Sequence, residues 1–234
     1  MSLHITMSQP PKIYGMHVSA GCRLALWAAN TSNVAVEWEQ VDLMKGEHMT
    51  EEYVRLTKGR HCIPALSHTL EDGSALEMTE SRAIAKYLAH IGDGSVKASF
   101  PDAPHLTAQL DELIDYDATC LYSRVGDIAY YRMGFRPTEP DEKKFEALNK
   151  SLAYIESRLG DSGFLVGDTL SVADLNLANT LSMLAIIPEI EVEKSYPATG
   201  KWLAHMQTLG NYSEIVAPFN QFVASKSAAE DGSD

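Results

Sequence analysis

Arg60-His-Cys-Ile-Pro-Ala-Leu66, followed by Glu80-Ser-Arg-Ala-Ile84, is the stretch on which the fold turns. The first piece is a short apolar run that carries a proline. Proline cannot donate to a β-ladder, so inside a run of this kind it normally counts against a strand. An Ile-Pro pair that opens a strand instead implies a tight turn, with a cis peptide as a candidate, that leaves backbone N–H and C=O groups on show. The second piece is a polar helix start that opens an Ile84/Tyr87/Leu88/Ile91 stripe. Glu80 and Ser81 sit where a helix exposes unpaired N–H groups and favours anions. One element offers free backbone groups and the next an anion-friendly end, which together suit a peptide-like, carboxylated ligand.

Working outward, the first hundred residues alternate between strand and helix signals. A short strand is expected at Lys12–Met16 and a helix at Cys22–Ala29. Val34–Leu43 reads as a half-exposed strand, with Val36, Trp38 and Gln40 on one face and Glu37, Glu39 and Val41 on the other. A short helix is expected next, at Glu51–Lys58. Ile63–Thr69 and Ser74–Met78 flank Glu71-Asp72-Gly73, a strong hairpin signal. Ser81–Ile91 closes this part as a helix ending at Gly92. The order is β-α-β-α-β-β-α with the last strand pair antiparallel, an α/β domain over residues 7–92.

Residues 93–104 are rich in Gly, Ser, Asp and Pro and read as a linker. The remainder, 105–226, reads as all-α, with helices at Leu106–Met133, Asp141–Leu159, Val172–Ile187, Thr199–Leu209 and Ser213–Ser225. Within it, Ser171-Val-Ala-Asp174 has capping-box spacing: the serine caps and the aspartate at N3 reaches back. That spacing is a folding signal first. The tail Ala228–Asp234 is small and acidic, and fraying is expected there. Met1–Leu3 has the look of a cloning remnant, with Met7 as an alternative start.

Composition narrows the function. The chain has 234 residues, 45% hydrophobic, and a net charge of −13, which argues against nucleic acid or an anionic membrane as the main partner. The charge is uneven: residues 1–100 hold 9 basic and 11 acidic side chains, and 101–234 hold 10 and 21. The near-neutral first part can hold an anionic ligand, whereas the second repels one. Three cysteines without a CxxC pair give neither a disulfide framework nor a zinc signature. With no long apolar run and no signal-peptide pattern, a cytoplasmic protein is expected.

The order of elements and the motifs together resemble the glutathione transferase superfamily, over roughly residues 12–225. Ser19-Ala-Gly-Cys-Arg23 resembles the Ser-x-Pro-Cys-Arg segment of the theta and delta classes. Val41-Asp-Leu-Met-Lys-Gly-Glu-His48 resembles the loop after their second strand, and His61-Cys-Ile-Pro64, Glu80–Ile84 and the Ser171–Asp174 box complete the set. The resemblance implies a thioredoxin-like N-terminal domain, an all-helical C-terminal domain, and an enzyme of detoxification. Glutathione is then co-substrate, with no further cofactor and no metal.

Such an enzyme must favour a thiolate that is a minor species of a free thiol at neutral pH. Ser19, in the loop before the first helix, can donate a hydrogen bond to the sulfur. The helix dipole adds up to about 1–2 kcal/mol, where one pKa unit is about 1.4 kcal/mol. Tyr14, late in the first strand, competes for this activating role, as other classes of the superfamily use a tyrosine there. Cys22 is a packing residue on this reading, as is Cys120. Serine at position 19 disfavours a disulfide or dehydroascorbate reductase, which needs an exposed nucleophilic cysteine.

By the same resemblance His48 and His61 hold the glycine carboxylate of glutathione, and Ile63 supplies backbone hydrogen bonds to the cysteinyl unit, with Pro64 cis. Glu80 pairs with the γ-glutamyl ammonium, Ser81 binds the γ-glutamyl carboxylate, and Arg82 supports that end. Tyr116, Tyr122, Val125 and Met133 are candidates for a pocket taking a small hydrophobic electrophile, although helical spacing also suits them to the bundle core. Arg124 and Arg132 are possible polar contacts there. Hydroperoxide reduction by the same thiolate is a second activity of this kind. A homodimer is expected, in which Asp111, Asp115 or Asp117 of one subunit could approach Glu80 of the other. Two departures stand out: Gly21 replaces the usual proline, which should loosen the loop carrying Ser19, and Arg60 stands where Gln or Lys is common. The alternative function is a non-catalytic, transferase-like protein-interaction module.

Overall fold

The structure, a computed structural model, describes residues 9–160 and 162–231, with side chains to 225. The alternative start at Met7 and the last three residues of the tail lie outside the described residues. The chain divides into two compact units between Ala98 and Ser99.

The first unit is built on a four-stranded sheet in the order β2-β1-β3-β4. Strand β1 is Lys12–Gly15, β2 Glu37–Gln40, β3 Ala65–Thr69 and β4 Ala75–Met78. β1 and β2 run parallel, with Ile13 opposite Trp38, and β3 pairs antiparallel with both β1 and β4. Helices α1 (Ala20–Thr31), α2 (Glu51–Leu56) and α3 (Ser81–Ile91) complete the order β-α-β-α-β-β-α. Side-chain alternation on β1 sets the two faces of the sheet. Ile13 and Leu66, which pair across β1 and β3, are both fully buried. Tyr14 points the other way, into a cluster with Val41, Tyr53, Ala65 and Ile63. α1 is buried from Cys22 to Ala29, and α3 buries Ile84, Ala85, Leu88 and Ala89 against it. Alanine on α1 allows that close approach.

One strand is shorter than its sequence pattern. The Val34–Leu43 alternation predicts a long edge strand, but β2 spans only Glu37–Gln40. Val41 is buried rather than aligned with Glu37 and Glu39. Its N–H still donates to the Gly15 carbonyl at 2.8 Å, after which the chain turns away and its apolar side chain drops into the Tyr14–Tyr53 cluster. A 3-10 turn at Glu47–Met49 precedes α2, which starts from a Thr50 cap.

The second unit is helical: α4 (Pro104–Tyr116), α5 (Tyr122–Arg132), α6 (Glu142–Arg158), α7 (Val172–Leu181), α8 (Val192–Ser195), α9 (Pro197–Met206) and α10 (Tyr212–Asp231). The single helix expected over Leu106–Met133 is two helices joined by a π turn at Asp117–Leu121. The one extra residue in that turn rotates α5, so that Leu121, Val125, Ile128 and Ala129 stay in the core. α7 is buried at every position and forms the centre of the unit. The expected helix to Ile187 ends at Leu181 and continues as a 3-10 segment, Ser182–Ile186. α10 passes through Pro218 and runs to Asp231, beyond the point where fraying is expected.

Candidate functional site

The β1–α1 turn carries Ser19 as the N-cap residue of α1, in extended conformation, and its side chain makes no capping hydrogen bond to the helix backbone. The hydroxyl instead lies near enough to the Cys22 thiol to oppose slightly the effect of burial on it. Cys22 is fully buried, and burial pushes its thiol up to about 11, against the smaller opposing effect of Ser19. It therefore stays protonated and inert at neutral pH, as a packing residue should. Arg23, 2% exposed, donates to the Val18 carbonyl at 2.7 Å and braces the same turn from behind. His17 stacks on Trp38 at 4.4 Å between centroids, and burial lowers its pKa.

Three segments meet at Gly21. A methyl group placed on it would stand 3.1 Å from Pro64 Cδ, 3.2 Å from Ser81 Cβ and 3.3 Å from Ser81 Oγ. Gly21 is not in the loop before the helix, where its replacement of proline would loosen the turn. It lies within α1, and its missing side chain lets the α1 start, the Ile63–Pro64 turn and the α3 start close on one another. The Ile63–Pro64 peptide is cis. Among the described residues no hydrogen bond engages the backbone N–H or C=O of Ile63. The neighbouring Cys62 carbonyl is taken by the Tyr53 hydroxyl at 2.9 Å.

At α3 the N-cap is Glu80, again without a side-chain capping bond. Ser81 occupies the first helical position and is partly exposed, as is Arg82 beside it. The Glu80 carboxylate pairs with the Arg60 guanidinium at 2.5 Å. Arg60 belongs to a turn in which Lys58, Gly59 and His61 all have left-handed backbone, φ +51°, +81° and +51°. Non-glycine residues seldom hold that conformation outside turns and sites. His61 Nδ1 lies 3.3 Å from the His48 carbonyl oxygen, so the two histidines named from the sequence come together. His48 Nδ1 is enclosed without a partner.

Tyr14 is turned to the α2 face of the sheet. Its hydroxyl is 3.3 Å from Ser67 Oγ and its ring packs edge-on against Tyr53 at 6.3 Å. In the helical unit, Val125 and Met133 are core residues, 0% and 4% exposed. Tyr116 packs against Tyr154 at 4.6 Å, and Tyr122 hydrogen-bonds Tyr130. Arg124 donates to the buried Ser151 hydroxyl at 2.7 Å, and Arg132 pairs with Glu189. Both arginines are thus tied to their own unit. The aromatic run continues from Tyr130 to Phe135 at 6.4 Å and from Phe135 to Phe222 at 5.9 Å, stacked. Phe135 and Phe222 escape a sequence reading, because a loop residue and a residue on the last helix share no spacing. Asp117 is buried rather than solvated, whereas Asp115 is exposed and Asp111 partly so. Among the described residues no group of three His, Cys, Asp or Glu side chains is placed to hold a metal ion, and no helix is long and apolar enough to cross a membrane.

Both units match known proteins. Residues 13–95 match the glutathione S-transferase N-terminal domain and residues 122–209 the glutathione S-transferase C-terminal domain. A delta-class glutathione transferase of Nilaparvata lugens is 29% identical, with 93% of this chain and 100% of that one covered at a TM-score of 0.78. A glutathione transferase of Bombyx mori is 27% identical, covering 94% and 99%, with a TM-score of 0.79. An epsilon-class enzyme of the housefly, Musca domestica, is 25% identical, covering 93% and 97%, with a TM-score of 0.77. The chain belongs to the glutathione transferase superfamily and is an enzyme of that family.

Proposed function

We propose that this is a serine-type glutathione transferase of delta- or theta-like character, in which Ser19 activates the thiol of glutathione for attack on small hydrophobic electrophiles. The observation that carries the reading is the convergence at Gly21: two helix starts whose N-cap side chains are not spent on capping lie against the Pro64 turn. Each helix start favours negative charge, the thiolate at α1 and a carboxylate at α3. Ser19 donates to the sulfur. The open backbone of Ile63, beside Pro64, pairs with the cysteinyl unit as one more short strand. His48 and His61 take the glycine carboxylate, Glu80 the γ-glutamyl ammonium, and Ser81, with Arg82 in support, the γ-glutamyl carboxylate.

The reaction needs no group beyond glutathione. Proton loss from the thiol leaves a thiolate held by the Ser19 hydroxyl, and the thiolate forms a carbon–sulfur bond to the electrophile as the leaving group departs. With a hydroperoxide it would instead take the terminal oxygen and release an alcohol. Tyr116 and Tyr122 are the remaining pocket candidates in the helical unit, since Val125 and Met133 are enclosed in its core. A homodimer in the cytoplasm fits the charge distribution, with the near-neutral unit the better candidate for burial. Tyr14 is the weaker candidate for activation, as its hydroxyl is engaged with Ser67 on the α2 side of the sheet. A conjugation assay on Ser19→Ala and Tyr14→Phe tests the assignment. Loss of rate in the first with near-normal rate in the second supports it, and the reverse pattern refutes it.

A further inference from the structure

Arg60 and Glu80 come from two different elements of the proposed glutathione site, one from the turn after α2 and the other from the start of α3. They form an ion pair at 2.5 Å. Glu80 does not cap its own helix, so this pair is the engagement of its carboxylate that the structure shows. The turn that presents Arg60 is fixed by three left-handed residues, and its next residue, His61, is tied to His48. That backbone sets where the Arg60 side chain starts, and the ion pair holds its guanidinium at Glu80. An ammonium group arriving at Glu80 meets an acceptor already paired with a cation.

We propose that Arg60 is a specificity-determining residue that competes with the amino group of the ligand for Glu80. This rests on the reading of Glu80 as the γ-glutamyl ammonium acceptor. With Arg60 present, the carboxylate is already partly neutralised, and the amino group of glutathione contributes little to binding. With Arg60 replaced, the same carboxylate is open and the amino group counts for more. The chain then discriminates weakly between glutathione and thiol peptides of the same shape that lack the amino group. Both side chains are more than half exposed, so the effect is a few-fold and screened by salt.

The test compares binding of glutathione with binding of its analogue in which hydrogen replaces the amino group, glutaryl-cysteinylglycine. Dissociation constants are measured by titration calorimetry at low salt for the native chain, Arg60→Gln and Glu80→Gln. The preference for glutathione over the analogue should be about threefold larger in Arg60→Gln than in the native protein, the size an exposed ion pair supports. The difference should shrink as salt is added. An equal preference in the two proteins, with Glu80→Gln still weakening glutathione more than the analogue, would overturn the competition while leaving the acceptor role of Glu80 intact. If Glu80→Gln changes neither ligand, the acceptor assignment itself is wrong and the competition falls with it.

Discussion

Two helix starts in this molecule share a spacing and differ in what becomes of it. Ser171 and Asp174 stand at N-cap and N3 of α7, and Ser19 and Cys22 stand at the same two positions of α1. At α7 the Asp174 carboxylate is saturated. It accepts from the N–H and hydroxyl of Ser171 at 3.0 and 2.8 Å, from Leu165 N–H at 2.9 Å and from Trp202 Nε1–H at 3.2 Å. At α1 the N3 side chain is a thiol that cannot reach back as an acid does, and the serine makes no side-chain capping bond. A closed helix end holds a domain together; an open one, with its dipole unspent, is available to a ligand anion.

Closing the comparison from the α7 side gives the largest expected effect. Asp174→Ala leaves four buried donors without their acceptor, and a loss of about 3–5 kcal/mol is expected in urea unfolding. Ser171→Ala should cost about 1 kcal/mol, because its buried hydroxyl loses the hydrogen bond it donates to Asp174. From the α1 side the expectation is reversed. Ser19→Ala should move stability by less than about 0.5 kcal/mol, because no capping bond is lost. It should nonetheless lower kcat/KM for glutathione conjugation by about tenfold, the equivalent of about one pKa unit of thiolate stabilisation. Equal stability losses at Ser19 and Ser171 would break the distinction.

Gly21→Ala sharpens it further. The added methyl meets Pro64 and Ser81 at contacts tighter than van der Waals spacing, so these neighbours must give by a few tenths of an ångström. Weaker glutathione binding is expected, with a stability cost of about 1 kcal/mol. Cys22 gives the smallest and cleanest signal. Burial pushes its thiol from the ordinary cysteine range up to about 11 in the folded chain. The folded state holds this proton more tightly than the unfolded state. Its contribution is therefore complete below about pH 9 and is lost as pH rises towards 11. At neutral pH a thiol reagent should modify Cys62 and Cys120, which are partly exposed, and leave Cys22 unreacted until the chain unfolds.

Much of the fold and part of the site are legible in the sequence because their signals are local. The Glu71-Asp72-Gly73 turn, the Ile63-Pro64 pair and the Ser171–Asp174 box each specify their geometry within a few residues, and together they order the sheet and locate the central helix. The features that escape are set by tertiary packing. Val41 leaves the β2 alternation because an apolar cluster lies next to it, and the π turn at Asp117–Leu121 has no sequence signature of its own. The Arg60–Glu80 pair joins residues from separate elements, so no spacing rule points to it. Gly21 misleads for a related reason. Its meaning depends on Pro64 and Ser81, neither of which is near it in sequence.

The central claim is that the open start of α1 is where a thiolate is stabilised. Ultraviolet difference titration of glutathione bound to the native chain and to Ser19→Ala measures this directly. In the native protein the bound thiol should ionise at least about one pH unit below the usual cysteine value of about 8.5, and in Ser19→Ala it should return most of the way to that value. A bound thiol that ionises at the same pH in both proteins would contradict the account.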